Sequence, residues 1–481
     1  MEYEERWEEV WSEACEAFAT ETGEAPKAKL KPEEASLLRS LVLSSLEVSK
    51  RLKQIVSEQS VESLKRCLQN LVLSAWKRQD ANDALERAGE HERSGRWEEA
   101  REAYSEALLM GPSQTIQCSL AFAQLLHVMA TEGSGEGGAS EQILRHALDG
   151  SGPRAVLAKL ILLLLQEGRD EEAVALLRSG DWKFRLAPWV MRPDDEGMEC
   201  AGFPGCVLDN AIPESFLQHL QGFLSRESKF WLEHEYNEVS GSGKAGYFSY
   251  VQQLLGEATS TLDVIIRHVW ELLKARGAFP ELGEATVAEW WAHKRPHACG
   301  HQMHYDSDNE GIGGVRNPIC SCVIFVEAPA GIGGATLVTD QSLPKRSLGT
   351  KGWLITPSPG RLAAYDGTYF HGVVPGRGAS PGNGRRITFM IAYWKTIQQR
   401  PFQEDGLPGS SRPLPNPAEP FEVGPRRYTW HQQLALPLPL EFDTSPKEVS
   451  LRCWKPLWTD IEGKALETCH DLPDIQQCFQ F

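Results

Sequence analysis

Residues 362–394 read LAAYDGTYFHGVVPGRGASPGNGRRITFMIAYW, three short extended segments separated by turns rich in Gly and Pro. Side chains alternate across a strand. In the last segment Arg386, Thr388, Met390 and Ala392 therefore share one face, while Ile387, Phe389, Ile391 and Tyr393 share the other. The second face is wholly apolar and suits packing on a flanking layer; the first is mixed, headed by an arginine, and suits a cavity. A guanidinium inside a protein needs an anionic partner, and a carboxylate held by both prongs is the natural one.

The same pattern extends upstream. Segments 286–292, 301–306, 318–326, 335–339 and 352–356 are each bounded by Gly or Pro, and with 362–365, 370–374 and 386–394 they make eight predicted strands. Eight closely spaced strands are the count for a double-stranded β-helix, the jelly-roll barrel. Helical patterns at 213–224 and 250–274 precede them and are placed to buttress one sheet.

Two of these strands carry a metal-ligand pattern. In His304-Tyr305-Asp306 the imidazole and the carboxylate stand two positions apart and point the same way, into the barrel, while Tyr305 points out. His371, in YFHGVVPG, lies on the seventh predicted strand. Two imidazoles and one carboxylate occupy one face of an octahedral ion and leave the other open, which suits non-haem Fe(II). His297 and His301 resemble extra ligands, but a regular strand turns His301 away from His304. Cys320 and Cys322 share a strand face and read as small core residues rather than a metal pair.

The chain ahead of residue 182 is helical in pattern, with apolar residues at three- and four-residue steps. Ala84, Ala88, Gly95, Trp97, Ala100, Tyr104, Ala107 and Pro112 have the spacing of one tetratricopeptide repeat, echoed more weakly at Gly168, Ala173 and Leu177. After residue 394 the chain is proline-rich, and Trp430, Phe442, Trp454 and Trp458 imply a tail that packs back on the barrel. The expected organisation is α+β and multidomain: a helical, tetratricopeptide-like region over 1–182, a jelly-roll domain with flanking helices over 200–398, and a proline-rich extension over 399–481.

Composition narrows the partners. The 481 residues carry 49 Lys+Arg against 66 Asp+Glu, a formal charge of −17 that disfavours nucleic acid and anionic membranes. The first residues, MEYEERWEEVWSEA, are acidic where a secretory signal needs a basic start. The apolar run 155–165, interrupted by Lys159, is too short to span a bilayer. Eleven scattered cysteines read as reduced thiols. The expectation is a soluble intracellular protein, placed in the cytoplasm. Its acidic excess belongs largely to the helical front, whereas Lys294, Arg295, Arg316, Arg377, Arg385 and Arg386 surround the predicted site segments.

Taken together, HYD (304–306), GGATL (333–337), PSPGRLAAYDG (357–367), HGVVPG (371–376) and RRITFMIAYW (385–394) resemble the Fe(II)/2-oxoglutarate-dependent dioxygenases, most of all their prolyl-hydroxylase-like branch. The resemblance implies that His304, Asp306 and His371 ligate iron and that Arg386 holds the distal carboxylate of 2-oxoglutarate, with Arg385 as its competitor because the loop 376–384 is longer than usual. It implies Fe(II), 2-oxoglutarate, O2 and ascorbate as cofactors, with release of succinate and CO2, and no side chain acting as acid or base beyond the metal centre. His301 stands where many relatives carry an aromatic residue, and Arg386 stands where collagen-type prolyl hydroxylases carry Lys, so a collagen substrate is not implied. Asp306, rather than Gly or Ala, disfavours a halogenase.

Collagen prolyl hydroxylases also set tetratricopeptide-like repeats before such a domain. By that analogy the expected reaction is hydroxylation of an unactivated C–H bond of a peptidyl side chain such as proline, the helical region engaging the polypeptide. The alternatives are hydroxylation of a small-molecule metabolite and a non-catalytic helical scaffold with a vestigial barrel.

Overall fold

The structure is a computed structural model. It describes residues 80–110, 115–148, 153–193, 197–199, 201–244, 246–308, 316–343, 348–435 and 444–466. The described part contains helices and several sheets, an α+β composition. The chain divides into two compact units, 1–122 and 123–481.

In the first unit, residues 80–93 and Trp97–Met110 are helical and joined by a tight turn. Gly95 takes φ +69° in that turn, a conformation open to glycine at no steric cost. Ala84, Ala88, Ala100 and Ala107 are buried, so small residues line the face along which two helices approach. Tyr104 donates to Glu92 at 2.8 Å. Pro112 of the expected repeat, like Phe442 of the tail, lies outside the described residues.

The second unit contains the helices Ala139–Leu148, Arg154–Glu167 and Asp170–Ser179 and, beyond them, the two main sheets. The eight strands that carry the site are numbered here in chain order: β1 (Val287–Arg295), β2 (His301–His304), β3 (Cys320–Glu327), β4 (Ala335–Ser342), β5 (Gly352–Ile355), β6 (Leu362–Tyr365), β7 (Tyr369–Val374) and β8 (Arg386–Trp394). One sheet runs β1-β8-β3-β6 and is extended by Arg412–Pro413 and Tyr250–Gln253 on one side and by Gly205–Asp209 and Lys447–Glu448 on the other. The second sheet runs β5-β4-β7-β2, extended by Arg452–Trp454 and Met198–Glu199. Pairing among the eight is antiparallel throughout.

Side-chain parity on β8 decides what sits where. Ile387, Phe389, Ile391 and Tyr393 join a large apolar cluster with helices α1 (Glu214–Phe223) and α2 (Thr261–Arg276), including Phe216, Ile265, Ile266 and Val269. Met390 instead meets Val323, Phe325, Val338 and Ile355 in the space between the two sheets. The layers are thus helix, sheet, sheet. Truncating a fully buried residue such as Phe389 to Ala would cost about 3–5 kcal/mol.

Helix α2 starts later than periodicity alone predicts, because Tyr250–Gln253 is a strand. Ser260 caps its N-terminus and Asp263 returns the bond in a capping box, and Gly277 ends it with φ +66°. The proline-rich tail contributes Tyr428, Trp430 and Leu434 to the same cluster as α1 and α2. Cys118, Cys206, Cys299, Cys320 and Cys322 are free and buried, as reduced core thiols should be. Cys453 is disulfide-bonded, so that reading does not extend to every cysteine.

Candidate metal centre

Register brings the three predicted ligands together. His371 on β7 is the direct partner of His304 on β2. His304 is the last residue of its strand, and Asp306 follows in extended chain two positions on. One ligand atom from each of His304, Asp306 and His371 lies within 4.8 Å of the other two, which among the described residues is the only such grouping of His, Cys, Asp and Glu. Asp306 Oδ1 stands 3.4 Å from His304 Nε2 and 3.6 Å from His371 Nε2. Tyr305 turns the other way, as alternation predicts: its ring packs at a tilt against Phe370, centroids 5.1 Å apart, and its hydroxyl accepts from Gln341.

The main chain orients both imidazoles. His304 Nδ1 donates to the Gln302 carbonyl at 2.7 Å and His371 Nδ1 to the Tyr369 carbonyl at 3.0 Å. With Nδ1 committed as donor, each ring presents the Nε2 lone pair to Asp306, the tautomer a metal needs. Ser321 on β3 donates its hydroxyl to Asp306 Oδ2 at 2.5 Å, and Asn317 donates to the Asp306 carbonyl at 2.6 Å. One carboxylate oxygen is therefore held while the other faces the two imidazoles.

Electrostatics prepare two of the three donors directly. Burial opposes charge on Asp306, but His371, His304 and the Ser321 hydroxyl outweigh it and hold the carboxyl below the usual carboxylate range. Burial pulls His371 down to about 4, so it is neutral near pH 7. His304 moves the other way: burial opposes its proton, but the Asp306 carboxylate outweighs burial, so a metal at Nε2 would take the place of a proton that Asp306 favours. Two imidazoles and one ionised carboxylate, converging on one side of a cavity, fit a divalent first-row ion with open positions.

The cavity beside the triad runs between the sheets and is also lined by Tyr365, Thr388, Arg386 and Arg295. Arg386 is buried and donates Nη1 to the Gly333 carbonyl at 2.9 Å. Gly334 makes room for it: a Cβ there would lie 1.1 Å from Arg386 Nη1. Arg385 faces elsewhere, held by Glu238 at 2.7 Å and Glu132 at 2.6 Å. Only Arg386 of the two reaches the cavity.

One placement differs from the sequence expectation. His301 lines the cavity instead of facing away from His304, and their rings are 4.8 Å apart. The cause is a bulge: β7 advances two residues, from His371 to Val373, while β2 spans three, from His304 to His301. The extra residue reverses parity across it. Cys320 and Cys322, whose sulfurs lie 3.6 Å apart, sit in the apolar cluster under α2 as the core residues expected, with no third ligand beside them among the described residues. Sequence reading had no signal for Ser321 or Asn317, because neither belongs to a recognisable spacing.

No protein-family model matches the chain, and no curated protein sequence does. Solved structures with related arrangements include a Pseudomonas putida prolyl-4-hydroxylase, 16% identical, covering 41% of this chain and 95% of its own, with a TM-score of 0.29. AviO1 from Streptomyces viridochromogenes is 15% identical, covers 41% of this chain and 94% of its own, and has a TM-score of 0.26. An oxidoreductase of the 2OG-Fe(II) oxygenase family from Burkholderia pseudomallei is 14% identical, with 41% and 81% covered and a TM-score of 0.22. At such scores the likeness carries no weight for the chemistry, which rests on the site itself.

Proposed function

We propose that the chain is an Fe(II)- and 2-oxoglutarate-dependent dioxygenase built on a jelly-roll, with His304, Asp306 and His371 as iron ligands and Arg386 as the anchor of the 2-oxo acid. The observation that carries the reading is one cavity holding both halves of the required chemistry. On one side are two imidazoles with Nδ1 tied to main-chain carbonyls and one oriented carboxylate. On the other is a buried guanidinium with no carboxylate bonded to it among the described residues.

Bound iron with the 2-oxo acid would supply the oxidation of a C–H bond by dioxygen, with succinate and CO2 released. The protein's own residues bind and orient. Gln302 and Tyr369 fix the imidazole tautomers, Ser321 fixes the carboxylate, and the Gly333 carbonyl steers Arg386. The sheets around them exclude bulk water, so a charge–charge contact at Arg386 is stronger than in solvent. No side chain is asked to act as acid or base.

For the substrate, the reading is a peptidyl side chain such as proline, with the helical region as the polypeptide's contact. Its rival is a small metabolite. Succinate formation on adding Fe(II), 2-oxoglutarate and ascorbate tests the reaction, and His304→Ala should abolish it. Unchanged turnover in that variant would overturn the ligand assignment. Mass spectrometry of candidate peptides and metabolites for a gain of one oxygen separates the two substrate classes.

A further inference from the structure

The cavity contains a second guanidinium that the His304–Asp306–His371 triad and Arg386 leave unexplained. Arg295 ends β1 and is the direct register partner of Arg386 on β8. Both side chains line the cavity and both are buried. Arg295 Nη2 donates to the Gly300 carbonyl at 2.6 Å, but its Nε and Nη1 are buried with no hydrogen-bond partner. Room is made for it as for Arg386: Gly241, at φ +76°, would place a Cβ 1.9 Å from Arg295 Nη1. Two glycines thus open space for two arginines at one end of one cavity.

Two cations side by side in a buried pocket are unfavourable without a counter-charge, and orphaned N–H groups add to the cost. The ionisable groups that act on Arg386 are Arg295, Cys299 and Tyr236, with no carboxylate among them. Of the lining residues only Asp306 is acidic, and it is engaged with the two imidazoles. The uncompensated positive charge at the far end therefore has to be met by a ligand. A carboxylate presents two oxygens and four lone-pair sites, enough for donors from both guanidinium forks.

We infer that Arg295 and Arg386 together seat one carboxylate, so that the cavity takes a dicarboxylate whose far end is clamped by both arginines and whose other end reaches the triad. This rests on the 2-oxoglutarate reading above and adds to it a binding residue from β1. It also assigns the Gly300 and Gly333 carbonyls a matched role, each fixing one guanidinium.

The test uses the full-length, metal-free protein and glutarate, a dicarboxylate with no keto group, titrated by calorimetry. Arg295→Met should weaken glutarate binding roughly 10- to 100-fold, as loss of a charge-assisted bond does. Affinity for Mn(II), measured separately, should stay as in wild type. Arg295→Lys keeps the charge but loses the fork, so it should fall between the two, and it stands in should the Met variant fail to fold. Wild-type glutarate affinity in a folded Arg295 variant, with loss only in Arg386→Met, would overturn the inference and leave Arg295 a brace for the Gly300 turn. If the 2-oxoglutarate reading alone is wrong, the glutarate effect of Arg295→Met persists while 2-oxoglutarate binds the Mn(II)-loaded protein no tighter than glutarate does.

Discussion

His304 and His371 face each other across β2 and β7 with ring centroids 4.4 Å apart, yet each ring is turned by a carbonyl two residues before it in the chain, Gln302 for the first and Tyr369 for the second. The same local device, repeated on two strands, aims both Nε2 atoms at Asp306. Asp306 has no such device and depends on Ser321, contributed by β3 of the other sheet. Ser321→Ala frees the carboxylate to rotate. Metal affinity should fall by about 10- to 100-fold, the usual cost of losing a partner that orients a ligand. Calorimetric titration with Mn(II) measures it, and an unchanged affinity would mean that Asp306 needs no such support.

Adjacent arginines predict opposite phenotypes. Arg385 compensates two carboxylates, Glu132 and Glu238, and both it and Glu132 are well buried. Arg385→Ala takes this partner from Glu132 and leaves Glu238 to Lys294, 3.7 Å away, and should cost about 3–5 kcal/mol of stability. Arg386→Ala removes a cation that, among the described residues, is bonded only to a carbonyl. Its chief effect should be a higher 2-oxoglutarate requirement. Urea denaturation alongside cosubstrate titration distinguishes them; the reverse pattern would exchange their roles.

Much of this was legible in the sequence, for identifiable reasons. Strand alternation is local, so the inward set Arg386, Thr388 and Met390 and the outward set Ile387, Phe389, Ile391 and Tyr393 could be assigned from parity alone. What parity could not reach was anything set by a partner strand or a distant segment. His301 changes face because of a bulge in the β2–β7 pairing, which appears only when both strands are present. Arg385 is withdrawn from the cavity by Glu132, 253 positions away, and by Glu238, 147 positions away. Ser321 and Arg295 carry no motif, and their relevance arises from register.

Gly334 offers a steric version of the Arg386 experiment. Its φ is +103° and an added Cβ would overlap the guanidinium. Gly334→Ala should therefore displace Arg386 and raise the 2-oxoglutarate requirement while leaving Mn(II) affinity intact. Gly137→Ala, where a Cβ meets nothing within 4 Å, serves as the neutral control. Equal cosubstrate affinity in the two variants would mean that the pocket yields and that Arg386 is not confined by the Gly333–Gly334 turn.

The acid sensitivity of the fold should trace in part to His234. Its ring is fully buried among Phe230, Phe248, Tyr250 and Trp430, with Nδ1 donating to the Phe230 carbonyl at 2.6 Å and Nε2 accepting from the Tyr250 hydroxyl at 2.6 Å. Burial pulls it from 6.5 down to about 3. Above pH 6.5 the ring is neutral folded or unfolded and contributes no pH dependence. Below 6.5 the unfolded chain takes up a proton that the folded ring refuses, so stability drains away as pH falls toward 3. The slope is at most about 1.4 kcal/mol per pH unit for this one group. Burial likewise pulls His293 to about 3 and His127 to about 4, so the wild-type curve should be steeper than one proton. His234→Gln keeps a polar group against Tyr250 and should be about 1–3 kcal/mol less stable at pH 8. Its stability curve between pH 6.5 and 4 should be shallower by one proton, so the two proteins converge in acid. Urea denaturation at a series of pH values reads this directly, and parallel curves would show that the His234 ring already takes up its proton in the folded state.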